Sequence, residues 1–218
     1  KIVAVLAERG IHTSKKYVLK LMREMGLQSI GVHSKRDYRK FARKKNVVQR
    51  QFHAEAPNMI WVSDVTCFRV KNDYFYICVI LDLFSRKVVA HCISRRNSTQ
   101  LITRTFKTAF EGRGCPSNLT FHSDRGSQYT STAFRKLLLS NHVTQSFSGP
   151  GRPVDNAVAE SFFALLKREE LYRRNYRSER EFRESVISYM RFYNMDRPHS
   201  ANRYKTPEQV EIEYHQSP

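Results

Sequence analysis

Negative charge is scarce in this sequence. Only 20 Asp and Glu stand against 38 Lys and Arg in 218 residues, a formal net charge of +18 at pH 7. Such an imbalance points to a polyanionic partner, most often nucleic acid, although ribosomal proteins, polymerases and nucleases all share it. Long apolar runs are missing too. None approaches the roughly 18 residues that span a bilayer, and the N-terminus lacks the charged start, apolar core and small-residue cleavage site of a secretory signal. A soluble, cytoplasmic protein is therefore expected. Cysteine pairs are absent: Cys67, Cys78, Cys92 and Cys115 form no CxxC and lie mostly inside apolar runs. They read as buried small hydrophobes rather than zinc ligands or a disulfide frame. No repeat or low-complexity tract occurs, and the chain starts on Lys1 rather than Met, as a fragment or processed product would.

What is present is 40% hydrophobic content, enough for one main domain and a small appendage. Residues 1 to 27 predict two short helices. Ile2, Val5 and Leu6 share a face before a break at Gly10, and a Thr13-Ser14 cap precedes Tyr17, Val18, Leu21, Met22 and Met25. That is the outline of a helix-turn-helix, with an ordinary helical hairpin as the alternative. KRDYRKFARKK, from Lys35, carries seven basic residues with interleaved aromatics and no apolar face. It reads as an arm that tracks phosphates, with Lys35, Arg36, Arg39 and Lys40 as candidate DNA contacts, or as a solvated charge run.

From Pro57 the pattern changes. IWVSDVTCFRV, YFYICVILDLF and KVVAHCIS are β-rich runs separated by short turns, as in an antiparallel meander. A helix is predicted from Ser98 to about Glu111, buried through Leu101, Ile102, Thr105, Phe106, Ala109 and Phe110. NLTFHS then reads as a strand, TSTAFRKLLLS as a helix and VTQSFS as a strand. SGPGRP is a loop leading into a helix with an apolar stripe at Val158, Phe162 and Leu165, and a last helix spans about 179 to 194. The order β-β-β-α-β-α-β-α implies an α/β fold with a mixed five-stranded sheet flanked by helices.

Three acids stand where this order brings them together. Asp64 projects from mid-strand, on the face of Ile60, Val62 and Thr66; Asp124 follows the fourth strand; Glu160 stands near a helix start, on one face with Asn156 and Lys167. Converging carboxylates suit hard divalent cations. Two such ions, about 3.5 to 4 Å apart, bracket an in-line displacement at phosphorus. Singly, each acid also has a plain reading: Asp124 as a turn residue, Asp64 paired with a lysine, Glu160 as a solvated helix residue.

WVSDVT, LDLFSR, HSDRGSQYTS, DNAVAESFFALLKRE and YNMDRPHSANRYKTPEQ closely resemble the catalytic region of bacterial insertion-sequence transposases of the Asp-Asp-Glu kind, relatives of retroviral integrases. The resemblance runs from about Phe52 to Glu208, and thirty-five residues separate Asp124 from Glu160, the spacing of this group. It implies a ribonuclease-H-like fold in which Asp64, Asp124 and Glu160 bind two Mg²⁺ or Mn²⁺ ions. Residues 1–50 would form a partial helix-turn-helix-like segment and basic linker, 51–170 the catalytic core, and 171–218 a C-terminal helical extension. The implied reaction is metal-dependent cleavage at the ends of a mobile element, then transfer of the freed 3′ hydroxyl to another phosphodiester, with no nucleophile needed from Ser123, Tyr129 or Tyr193. Implied partners are double-stranded DNA, as terminal inverted repeats and target, further copies of the chain on that DNA at the nucleoid, and an upstream-encoded transposase segment.

By position in the family pattern Lys167 is expected to contact element-end DNA, with a solvated lysine as the alternative, and Asn156 to line the site; Arg125 is a further candidate DNA contact, and Arg197 and His199 either touch DNA or fold the tail back. Asp82 is expected to cap the turn toward Ser85 and Arg86, and His122 to edge the metal site or satisfy a strand-end carbonyl. Cys67-Phe68 and Ala201-Asn202 depart from the family pattern, away from the triad. Rival readings are an inactive remnant or DNA-binding regulator, and a nuclease of the same fold that hydrolyses without rejoining.

Overall fold

The computed structural model describes residues 2–27, 54–149 and 156–216. The chain divides into two compact units, Lys1–Arg43 and Lys44–Pro218. In the first, helices α1 (Ile2–Glu8) and α2 (Lys15–Glu24) form the expected pair. Ser14 Oγ accepts from Tyr17 N at 3.2 Å and so caps α2, and Gly26, left-handed at φ 65°, closes it. The apolar stripe of α2 is not buried among the described residues: Tyr17, Leu21 and Met25 are exposed. The basic arm from Lys35 to Lys45, with Lys35, Arg36, Arg39 and Lys40, lies outside the described residues.

The second unit is built on strands β1 (Ile60–Val70), β2 (Asp73–Asp82), β3 (Val88–Ser94), β4 (Thr120–Ser123) and β5 (Thr144–Phe147), in the sheet order β3-β2-β1-β4-β5. The β1–β2 and β2–β3 pairs are antiparallel, and β1–β4 and β4–β5 are parallel. Helices α3 (Thr99–Gly112) and α4 (Thr132–Ser140) cover one face, with Trp61, Cys78, Ile80, Phe106, Phe121 and Phe134 in the core between. The other face packs Val62, Ile77, Val79 and Leu81 against α5 (Ala157–Glu169) and α6 (Glu179–Met195). With both faces covered, β2 loses the alternation of a half-exposed strand, and Ile77 through Leu81 are all buried.

The stripe read for α3 is the one buried, Leu101, Ile102, Thr105, Phe106, Ala109 and Phe110. On α5 the buried face is shifted. Ala159, Phe162, Phe163 and Leu166 are inside, and Val158 and Leu165 sit at its margin. The last helix, α7 (Pro207–Gln216), occupies what reads as a tail. Its start is a capping box: Thr206 Oγ1 accepts from Gln209 N at 3.2 Å while Thr206 N donates to Gln209 Oε1 at 2.9 Å, with Pro207 at the first helical position.

The cysteines depart from expectation. All four are free, but only Cys78 is buried; Cys92 is half-buried, and Cys67 and Cys115 are exposed. Cys67 lies on the part of β1 that has outrun β4, and Cys115 takes a left-handed φ of 54° just beyond α3.

Candidate active site

The parallel β1–β4 ladder ends at the pair Ser63 and Ser123. Asp64 and Asp124 are the next residues on the two strands, so two carboxylates emerge side by side where the hydrogen-bonded ladder stops. An open α/β sheet presents ligands at such strand ends. Asp64 follows Val62 by two positions, which puts it on the face covered by α5.

Asp64 is half-buried, and its Oδ1 accepts from Val65 N at 2.7 Å. Burial is the main reason that its carboxyl is pushed up to about 6; the Val65 N–H opposes the rise, Asp124 and Glu160 add to it, and Lys167 draws it down. Two further acids and one lysine are thus felt at this carboxyl. Asp124 is exposed, and its Oδ1 accepts from Gly126 N at 2.9 Å. A Cβ at position 126 would stand 3.0 Å from that oxygen and 3.1 Å from Gln128 Oε1. A side chain at position 126 would crowd the Asp124 carboxylate in this cradle.

Gly126→Ala is therefore expected to displace the Asp124 carboxylate or the Gln128 amide by a few tenths of an ångström, enough to cost about ten-fold in a reaction that uses this carboxylate, where 1 Å typically costs about a hundred-fold. The backbone at Gly126 is not left-handed, so the melting temperature should hold or rise slightly. The activity and thermal melting of the variant check this, and an unchanged activity would show that Asp124 does not need its cradle.

Glu160 stands exposed in the first turn of α5, where a carboxylate also suits the helix dipole. On the helical wheel Glu160, Lys167 and Asn156 border the buried face. Asn156 caps α5 without a side-chain bond and is 4% exposed, and its Oδ1 has no partner among the described residues. Such a buried acceptor calls for a donor from a ligand or a neighbouring segment. Carboxylate and amide oxygens of this kind suit Mg²⁺ or Mn²⁺ better than softer ions. Among the described residues no three His, Cys, Asp or Glu side chains close into a metal-holding group.

Other candidates are tied into the fold. Arg125 is exposed, and its Nε donates to Ser148 O at 2.9 Å. Arg197 forms a two-pronged pair with Glu169, at 2.8 Å to each carboxylate oxygen, and His199 is buried edge-on to Tyr193, with its Nε2 3.1 Å from Tyr193 O. Both hold the tail to α5 and α6. His122 is fully buried, with its ring nitrogens 2.9 Å from Ser146 Oγ and 3.2 Å from Ser148 Oγ, on β5 and just beyond it.

Asp82 is the structural acid it was expected to be. It accepts from Asn58 N at 2.6 Å, Phe84 N at 2.8 Å and Trp61 Nε1 at 3.2 Å, with Arg113 at 3.8 Å. Sequence reasoning missed the partners around it. Arg113 pairs with Glu211 of α7, which also accepts from Ser85 Oγ and Lys87 Nζ. No local spacing could reveal a contact across 98 residues.

An integrase core domain model matches residues 54–153, and a second integrase core domain model matches 141–207. The transposase for insertion sequence element IS904 of Lactococcus lactis is 35% identical over 218 residues, covering 97% of this chain and 85% of that relative. The chain belongs to the insertion-sequence transposases. Among solved structures, a chain of the simian T-cell lymphotropic virus intasome in complex with PP2A regulatory subunit B56 gamma superposes on this transposase with TM-score 0.65 at 23% identity, over 76% of this chain and 57% of that one. The HTLV-2 integrase catalytic core domain, solved in complex with magnesium, gives TM-score 0.57 at 20% identity over 72% of this chain and 98% of that one. These likenesses establish the ribonuclease-H-like integrase fold for the transposase. No helix among its described residues is long and apolar enough to cross a membrane.

Proposed function

We propose that this transposase cuts the ends of its own element and joins the freed 3′ hydroxyls to target DNA at a site made by Asp64, Asp124 and Glu160. The observation that carries the reading is the emergence of Asp64 and Asp124 at the end of one parallel ladder, with Glu160 and Lys167 both felt at Asp64. These three carboxylates would hold a pair of Mg²⁺ or Mn²⁺ ions. When bound, such ions polarise the attacking oxygen and neutralise the leaving one. Lys167 and Asn156 border the same edge, suited to fixing the end of the DNA strand, and the surplus of basic side chains supplies affinity through phosphate contacts that weaken steeply with salt. The magnesium in the HTLV-2 integrase core supports a divalent requirement, and the intasome relative supports assembly of several copies on paired DNA ends. Work at the bacterial nucleoid, with an upstream-encoded segment helping to recognise the ends, completes the reading.

The deciding experiment incubates the chain with labelled duplexes bearing candidate terminal inverted repeats and Mn²⁺. Joined strands are expected. Nicks without joining would favour a nuclease, and binding without either would leave a DNA-binding regulator.

A pH signature follows from Asp64. Its folded pKa near 6 lies above the ordinary value of 3.8, so between about pH 4.5 and 6 the folded chain holds a proton that the unfolded chain releases. Stability from this group is present at the acid end of that window and is lost as pH rises through 6. A cation competes with that proton. Millimolar Mn²⁺ should therefore raise the melting temperature more at pH 7 than at pH 5. An equal shift at both pH values, or none, would place the ion elsewhere.

A further inference from the structure

Tyr129 closes the loop that begins at Asp124, and nothing in the proposed chemistry uses it. Its side chain is 2% exposed, with its ring against Phe121 and Phe134 at centroid distances of 6.2 and 5.9 Å. Packing of that kind would be served equally by phenylalanine. The hydroxyl does something further: it lies 2.8 Å from Ser63 Oγ, on the fully buried residue that precedes Asp64. Ser63 Oγ donates its single proton to Val79 O at 2.8 Å, so the Tyr129 hydroxyl must be the donor to Ser63. At the other side Tyr129 O accepts from Gln145 Nε2 of β5 at 2.9 Å. Between the ends, Thr130 N returns to Gly126 O at 3.0 Å. The loop is thus held at Asp124 by the end of β4 and at Tyr129 by β1 and β5.

We propose that Tyr129 is a positioning residue: its hydroxyl, bound to Ser63, latches the Asp124–Tyr129 loop to β1 beside Asp64 and so fixes the two aspartates relative to one another. The inference rests on the reading of these aspartates as the metal-holding pair. It acts through the sheet, because Ser63 and Tyr129 lie on the α3–α4 face whereas Asp64 points to the α5 face. Burial also keeps the phenol protonated, well above its ordinary range, so the donor persists at every working pH.

A built-in reporter makes the latch testable. Cys78 Sγ is 3.8 Å from Ser63 Oγ and 3.9 Å from Tyr129 OH, and Cys78 is fully buried, with its thiol pushed up to about 11 by burial. It should resist alkylation while the latch is closed. The full chain is treated with iodoacetamide and Cys78 is read by peptide mass spectrometry, which separates it from the exposed Cys67 and Cys115. In Tyr129→Phe, Cys78 is expected to label about five-fold faster, the factor equivalent to one hydrogen bond's net worth of ~1 kcal/mol. The Mn²⁺ concentration giving half-maximal thermal stabilisation should rise by a similar factor, while DNA affinity stays unchanged. Ser63→Ala, which also leaves Val79 O without the Ser63 hydroxyl, should show both effects at least as strongly, and the double variant should be no worse than Ser63→Ala, where the bond that Tyr129→Phe removes is already gone.

Wild-type labelling in Tyr129→Phe would overturn the latch. Faster labelling with an unmoved Mn²⁺ midpoint would overturn the positioning role and leave a packing contact. Should Mn²⁺ stabilise no form of the chain, the metal reading itself fails, and the labelling ratio still decides whether the hydroxyl holds the loop.

Discussion

Glu160→Gln is expected to lower strand transfer by at least about a hundred-fold while leaving DNA affinity nearly intact. Glutamine keeps the shape of the side chain in the first turn of α5 but offers a neutral amide in place of a charged ligand, so cation affinity falls where binding of the phosphate backbone does not. The same change has a second effect of opposite sign. Glu160 is one of the acids that push the Asp64 carboxyl up, and removing its charge should bring Asp64 down toward the ordinary aspartate range. EDTA-treated Glu160→Gln should therefore melt no lower than the parent near pH 7. An inactive enzyme that binds DNA and is at least as stable separates loss of a ligand from loss of fold. Joining rates, salt-dependent binding and melting curves give the three readings, and retained cleavage would remove Glu160 from the site.

Arg113→Met should be the most damaging substitution for stability. Its guanidinium stands between Glu211, to which it donates through two nitrogens, and Asp82 at 3.8 Å. Glu211 is 5% and Asp82 0% exposed at the side chain, so deleting the cation strands buried carboxylates. Breaking one partner of a buried pair costs about 3 to 5 kcal/mol. The lower end is expected here, because Lys87 remains 3.1 Å from Glu211 and three N–H groups still satisfy Asp82. Replacing both partners, Arg113→Met with Glu211→Leu, should recover part of the loss, since Glu211 is then no longer a buried carboxylate without its cation and Lys87 keeps Glu208, while Asp82 alone still lacks Arg113. Although burial pushes it up, the Glu211 carboxyl is held below its ordinary value of 4.5 by Arg113, Ser85 and Lys87. Its contribution is therefore present above that value and lost as pH falls through the lower folded one. Urea unfolding of the single and double variants measures the difference; equal losses in both would show that α7 docks by its apolar contacts alone.

Much of the fold could be read along the chain, since local pattern and tertiary burial agree over most elements. The α3 stripe repeats its apolar residues over fourteen residues, and every one of them is buried. The α5 stripe misled by one position. Several of its neighbours are apolar, and only the approach of the sheet selects Ala159, Phe162, Phe163 and Leu166 from among them. The start of α7 is local too: Thr206, Pro207 and Gln209 spell a capping box. The cysteines failed for a different reason. An apolar neighbourhood in sequence does not say where β4 ends, and beyond its end Cys67 of β1 faces solvent.

The sequence by itself determined the chemistry on offer: the identities and spacing of Asp64, Asp124 and Glu160, the excess of basic charge, and the alternation of strands and helices that allows a mixed sheet. Those depend on residue type and local periodicity, which a linear chain carries in full. Only the tertiary structure decided that the two aspartates leave the same ladder one residue past its last pair, that Tyr129 reaches Ser63 through the sheet, and that Arg113 meets Glu211. Such contacts depend on strand register and on the closing of long loops. Register and loop closure are set by the burial energy of the whole core rather than by any neighbouring residue.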